Sequence, residues 1–240
     1  MKYSALFLAI MSWLSISSTL SDRSTQIQYN DTHSEMVSLH TTDKSSDKEH
    51  TETMGGHIRY SIALHDSSGQ TYTVRIYSEN ESMYVEQNDW SGASEGDRIY
   101  RGKYRINLVK AGQEQLEGQP LMLFDDEEME FHSSRNMVYK VESGYPGQPD
   151  LLVVTQHGGS NGVFARFFYI RDEELRPVAI KWQERTNFEL FMQEIENPAY
   201  MVFQTKAYVN AEGNWYTRRW TLDIKTDSFL LIDTKVKTNG

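Results

Sequence analysis

The sequence predicts a mostly β fold of antiparallel sheets, propeller-like or a β-sandwich, with at most one or two short helices. Three observations predict it. From His57 onward, apolar and polar residues alternate, which is the period of a half-buried strand. Two runs, "DLLVV" and "VFARFFYI", are apolar on both faces, as strands covered on both sides are. Short polar turns such as Ser67-Ser68-Gly69-Gln70 separate the runs.

The chain opens on "MKYSALFLAIMSWLSISSTLS". Lys2 is a basic n-region, Ala5 to Leu14 an apolar stretch, and Ser15, Ser17, Ser18 and Thr19 small residues near a cleavage point. Residues 1–21 therefore read as a signal peptide. The stretch is too short to span a bilayer comfortably, so no transmembrane span is expected after its removal. The expected location is secreted, or extracytoplasmic. Residues 22–55 are rich in Ser, Thr, Asp, Glu and Lys; they bury too little apolar surface to offset ordering entropy and read as a disordered polar linker. His33, His40 and His50 within it lack ligand spacing. Asn30-Asp31-Thr32 and Asn80-Glu81-Ser82 match the N-glycosylation pattern. Residues 56–240 read as a single β-rich domain.

Its strands follow in order. "HIRYSIALH" puts Ile58, Tyr60, Ile62 and Leu64 on one face, and "TYTVRIYS" does the same with Tyr72, Val74 and Ile76. "IYRGKYRINLVK" reads as one long strand, with Tyr100, Tyr104, Ile106 and Leu108 opposite Arg101, Lys103 and Arg105. "MVFQTKAYV", "WYTRRWTLDI" and "FLLIDTKVK" close the chain. "TNFELFMQEIENP" favours a helix. Thr186 and Glu189 form a capping box, Phe188, Phe191, Met192 and Ile195 share a helical face, and Pro198 follows. A strand using Phe188, Leu190 and Met192 fits nearly as well.

A repeat is visible. Units begin near Ile58, Tyr100, Leu151 and Met201, about 40 to 50 residues apart, in the range of propeller blades. The last two units share the order apolar strand, glycine turn, aromatic strand, acidic turn, apolar strand. The stretch from "PDLLVV" through "FFYIRDEELRPV" resembles blades of the FG-GAP and VCBS type found in extracellular β-propellers. The resemblance covers about a quarter of the chain and implies a propeller-like fold. The family's D-x-D-x-D-G calcium loop is absent, so its calcium and ligand sites do not carry over.

Composition narrows the chemistry. The chain has no cysteine and a formal net charge of −10, which excludes disulfides, thiolate metal sites and cysteine nucleophiles. An acidic surface repels phosphate backbones and disfavours nucleic acid as a partner. Neither a cofactor nor a metal is implied. The acidic segment "FDDEEMEFH" gathers Asp125, Asp126, Glu127, Glu128 and Glu130 near His132, but lacks the alternate acids and glycine of a calcium loop.

"GGSNG", Gly158 to Gly162, matches the nucleophile-elbow template. That template needs a helix after the serine and a later histidine. A β-type run follows Ser160 and no histidine does, so the motif reads as a hairpin turn whose glycines and Asn161 supply positive φ angles. Catalytic residues are therefore expected to be none. Candidate binding residues are Trp90 in a loop-like segment, the basic stripe Arg101, Lys103 and Arg105, and Trp215, Tyr216 and Trp220 of "NWYTRRW". On a strand Trp215 faces away from Tyr216 and Trp220, so one ring set belongs in the core and the other outside.

These features suggest a secreted, non-enzymatic binding protein whose partner is a polysaccharide or another extracytoplasmic protein. Alternatives are an extracellular carbohydrate-active hydrolase using carboxylates and an envelope-associated accessory protein. Mass spectrometry of protein recovered outside the cytoplasm should find an N-terminus between about residues 18 and 26; intact Met1 on membrane-held protein would contradict the signal reading.

Overall fold

The computed structural model describes residues 57–90, 92–109, 119–121, 128–158 and 162–238. The signal segment, the linker, Asp125 to Glu127 and Ser160 lie outside these. The described residues form strands and turns in four sheets, with no helix. The fold is mostly β and sandwich-like, and every pairing but one is antiparallel.

Strands β1 (His57–His65) and β2 (Thr71–Ser78) form the first hairpin, closed by Gly69 at a φ of 83°. β3 (Ser82–Val85) and β4 (Arg98–Gly102) pair in a second sheet. β5 (Tyr104–Val109) returns to the first sheet beside β2, and β6 (Gln119–Pro120) joins it. β7 (Met129–His132) completes the second sheet beside β4.

The expected long strand from Ile99 to Lys110 is thus two strands in two sheets, turning a corner at Gly102-Lys103. A Cβ on Gly102 would sit 2.7 Å from Ser78 Oγ and 3.2 Å from Glu81 Cα, so only glycine admits this approach. Tyr104 fastens the corner by donating to Glu81 at 2.7 Å, and Arg59 pairs with the same carboxylate. Burial alone would raise the Glu81 pKa, but hydrogen bonds from Arg59 and Tyr104 outweigh it and hold the carboxyl below its ordinary value.

The third sheet runs β11-β10-β9-β8, from β8 (Val138–Val141), β9 (Leu151–His157), β10 (Val163–Arg171) and β11 (Glu174–Pro177). The fourth takes β12 (Ala179–Trp182), β13 (Arg185–Asn187), β15 (Glu194–Ala199), β16 (Val202–Val209), β17 (Asn214–Asp223) and β18 (Ser228–Thr238). Its order is β13-β12-β18-β17-β16-β15, with β12 and β18 parallel. β14 (Leu190–Met192) pairs with β10.

The doubly apolar runs occupy the middle. Leu152, Val154, Phe168 and Ile170 point into one core with Val74, Ile76, Tyr104, Ile106 and Phe131. Leu151, Val153, Phe167 and Tyr169 point into another with Phe203, Trp220, Leu222 and Phe229. β9 and β10 therefore separate two cores and bury both their faces, each large apolar side chain contributing about 1.5–3 kcal/mol by leaving water. The two last repeat units are matching three-stranded meanders, β9-β10-β11 and β16-β17-β18.

The helix expected over "TNFELFMQEIENP" is instead β13, β14 and β15. Thr186 pairs with Lys181, Leu190 with Ala165 and Ile195 with Thr205. A short helix offers little stability alone, whereas three neighbouring strands offer backbone partners. Leu190 and Met192 are buried on the period-2 face and Phe188 is exposed.

Gln183 takes a φ of 57° in the two-residue turn between β12 and β13, with Trp182 paired to Arg185. Glycine adopts that conformation without the Cβ penalty. Gln183→Gly should raise unfolding free energy by roughly 0.5–1 kcal/mol in urea denaturation; a loss of stability would contradict this reading of the turn.

Candidate functional site

β17 carries most of the predicted aromatic residues, and its alternation sends them to two faces. On the outer face, Trp215 stands opposite Tyr208 of β16 and Lys237 of β18. The Trp215 and Tyr208 rings lie 5.3 Å apart between centroids, and Trp215 is 37% exposed. The next rung is Lys206, Thr217 and Lys235; the one after is Gln204, Arg219 and Asp233. Lys206 pairs with Glu194 at 2.9 Å and Arg219 with Asp233 at 3.3 Å. Lys235 and Lys237 are exposed and form no ion pair with the described residues. The outer face is thus an aromatic pair beside two uncompensated ammonium groups on an acidic protein.

On the inner face Trp220 is fully buried, its indole nitrogen donating to Thr205 Oγ1 at 3.0 Å. As a binding residue Trp220 is therefore corrected: it belongs to the core, where "NWYTRRW" dips under the middle sheet. Tyr216, on the same face, donates to Glu212. Between them Arg218 stacks against Trp182 at 4.6 Å and Tyr216 at 5.0 Å.

Trp90 lies on the segment between β3 and β4. Its indole nitrogen donates to Glu86 at 3.0 Å, and its ring meets the edge of His157 at 5.1 Å and of His132 at 6.1 Å. It is 45% exposed and caps the end of β9. Burial pushes the pKa of both histidines down, which keeps the rings neutral near neutral pH.

The expected basic stripe is broken by the strand corner. Arg101 lies on β4 and Arg105 on β5, in different sheets, with Lys103 between them. Arg101 meets Glu128 at 2.8 Å and Glu130 at 3.9 Å, because β4 pairs with β7. Glu128 and Glu130 therefore neutralise Arg101.

The GGSNG motif joins two antiparallel strands, β9 and β10, with Gly158 N donating to Gly162 O at 3.1 Å. Ser160 and Asn161 lie outside the described residues. Gly158 and Gly162 do not take positive φ angles; a Cβ on Gly162 would meet Phe191 at 2.6 Å and Met192 O at 2.9 Å. Close approach of β14, not turn conformation, requires glycine at Gly162.

Sequence reading missed three participants. Tyr208 was legible only as a strand residue, and Trp182 fell in none of the runs read as strands. The third is a pair 85 positions apart: His65 Nδ1 lies 2.9 Å from Asp150 Oδ2. They line a polar cleft of about 480 Å³ between the β1–β2 turn and the loop after β8. Asp150 is 2% exposed and accepts the backbone N–H groups of His65 and Ser143, with Lys140 at 3.5 Å. Burial would raise its pKa, but these hydrogen bonds and Lys140 outweigh burial and lower it. Hydrogen bonds from Ser68, Gln70 and Tyr72 likewise outweigh burial and lower Asp66. Among the described residues no three His, Asp or Glu side chains converge as a metal site.

Comparison with protein-family models, curated proteins and solved structures found no match.

Because the folded pKa of Asp150 lies below the ordinary 3.8, its ionised form stabilises the fold above that pH, and the contribution disappears as pH falls through the folded value. Asp150→Asn should lower stability by roughly 2 kcal/mol at pH 7. It should also show a shallower loss between about pH 4 and 2 in urea denaturation. Parallel acid limbs for the two proteins would contradict the assignment.

Proposed function

We propose that the protein is an extracytoplasmic, non-enzymatic binding protein that takes an anionic polysaccharide on the outer face of β16, β17 and β18. The observation that carries this reading is Trp215, exposed and packed on the half-buried ring of Tyr208, beside Lys235 and Lys237. Aromatic faces stack on the C–H faces of sugar rings, and a sheet holds those faces rigidly at little entropy cost on binding. The ammonium groups add attraction for carboxylates, on a chain whose net charge of −10 would otherwise repel them. Thr217 and Gln204 lie on the adjoining rungs and add polar contacts along the same face. The signal-like N-terminus supports the location.

A carboxylate-dependent hydrolase is the weaker reading. Glycoside hydrolysis needs a carboxyl kept protonated near neutral pH, and two of the cleft carboxyls, Asp66 and Asp150, shift the opposite way.

Titration calorimetry with polygalacturonate, with dextran as the neutral control, tests the binding reading. Trp215→Ala should weaken polygalacturonate binding about ten-fold, or about 1.4 kcal/mol. Lys235→Ala with Lys237→Ala should flatten its salt dependence. Binding unchanged in both variants would overturn the assignment of this face.

A further inference from the structure

Arg218 is the anomaly of the inner face. It is 8% exposed, yet no ion pair or hydrogen bond joins it to any described residue, and its Nε is sealed from solvent without an acceptor. Desolvation is the largest influence on it and lowers its pKa. Tyr216 and Glu212 oppose that shift, but the Glu212 carboxylate is taken by the Tyr216 hydroxyl. Buried cations are ordinarily matched by a carboxylate, because leaving one unmatched is costly.

The surroundings fix its direction. β18 lies between β17 and β12, so Arg218 crosses β18 to reach the Trp182 ring. Its rung partner on β18 is the exposed Thr234. Trp182 and Tyr216 hold the guanidinium between aromatic faces. The result is a planar fork of donors, flanked by two rings and with its Nε already out of water, that has no acceptor among the described residues. Such a fork matches a planar carboxylate in two parallel hydrogen bonds. Trp182 remains 37% exposed beside it, a ring surface suited to a pyranose.

We propose that Arg218, Trp182 and Tyr216 form a second ligand site, on the face of β17 opposite Trp215, that takes the carboxylate of a uronic acid residue. Arg218 donates two hydrogen bonds to the carboxylate and Trp182 packs on the sugar ring. This site is separate from the outer face and stands or falls independently of it.

The test is titration of the full chain with sodium glucuronate, followed by tryptophan fluorescence, with glucose and poly-glutamate as controls. Trp215→Ala should retain glucuronate binding. Arg218→Lys should weaken it at least ten-fold, since an ammonium lacks the fork, and Trp182→Ala should weaken it similarly. Glucose should not bind. Arg218→Met supplies the folding control: a cation kept for a ligand adds nothing to the empty fold, so this variant should melt at or above the wild-type temperature. Absence of glucuronate binding to the wild type would overturn the proposal, as would binding unaffected by Arg218→Lys. Binding lost only in Trp215→Ala would overturn it while leaving the outer-face reading intact. Poly-glutamate binding of equal strength per carboxylate would overturn the sugar as the source. A clear drop in melting temperature for Arg218→Met would make Arg218 a structural residue instead.

Discussion

The structure depends on β9 and β10 being apolar on both faces. A strand covered on one side alternates, and one core suffices for it. Leu151 to Val154 and Phe167 to Ile170 do not alternate, so each face needs its own cover. The sheet of β1, β2 and β5 supplies one and the sheet of β12, β16, β17 and β18 the other. Neither outer sheet has a second apolar face. Each is buried on one side only, as the alternation in Tyr72, Val74, Ile76 and in Phe203, Thr205, Ala207 requires.

This arrangement also explains where ligand chemistry is available. The middle sheet covers β17 at Trp220 and Leu222. Two residues before Trp220, at Arg218, the inner face carries a cation and then Tyr216 instead of aliphatic side chains. The outer face of the same strand packs against no other sheet among the described residues, and it carries Trp215. One strand thus serves the core at one end and offers two faces at the other. Such division suits the binding role proposed above, whose recognition groups must be held by a rigid sheet.

Much of the fold was legible because period-2 alternation is a local property. Strands β1, β2, β9, β10, β16, β17 and β18, the two-sided run at "DLLVV" and the split between Trp215 and Trp220 could all be read from spacing alone. The corner at Gly102 could not, since it depends on how closely Ser78 and Glu81 approach. "TNFELFMQEIENP" misled because a capping box and a helical face are also local, while the partners that made it strand, Ala165 and Thr205, are distant in sequence. The basic stripe failed for the same reason: Glu128 reaches Arg101 only through the pairing of β4 with β7. Of the candidate site, Trp215 and Tyr216 were named from sequence. The bare cation at Arg218 and the His65–Asp150 pair were not, because the absence or presence of a partner is a fact of three-dimensional packing.

Native-state hydrogen exchange tests the two-core account most directly. A sheet sandwiched by two cores can open only when both do, so its amides exchange by global unfolding. The amides of Val153, Val154, Phe167 and Phe168 should be the slowest in the protein, with opening free energies equal to that of denaturant unfolding. Those of the edge strands β13 and β15 should exchange far faster. If β9 and β10 exchanged through a lower-energy opening while β16, β17 and β18 stayed protected, the middle sheet would not be the element on which both cores rest.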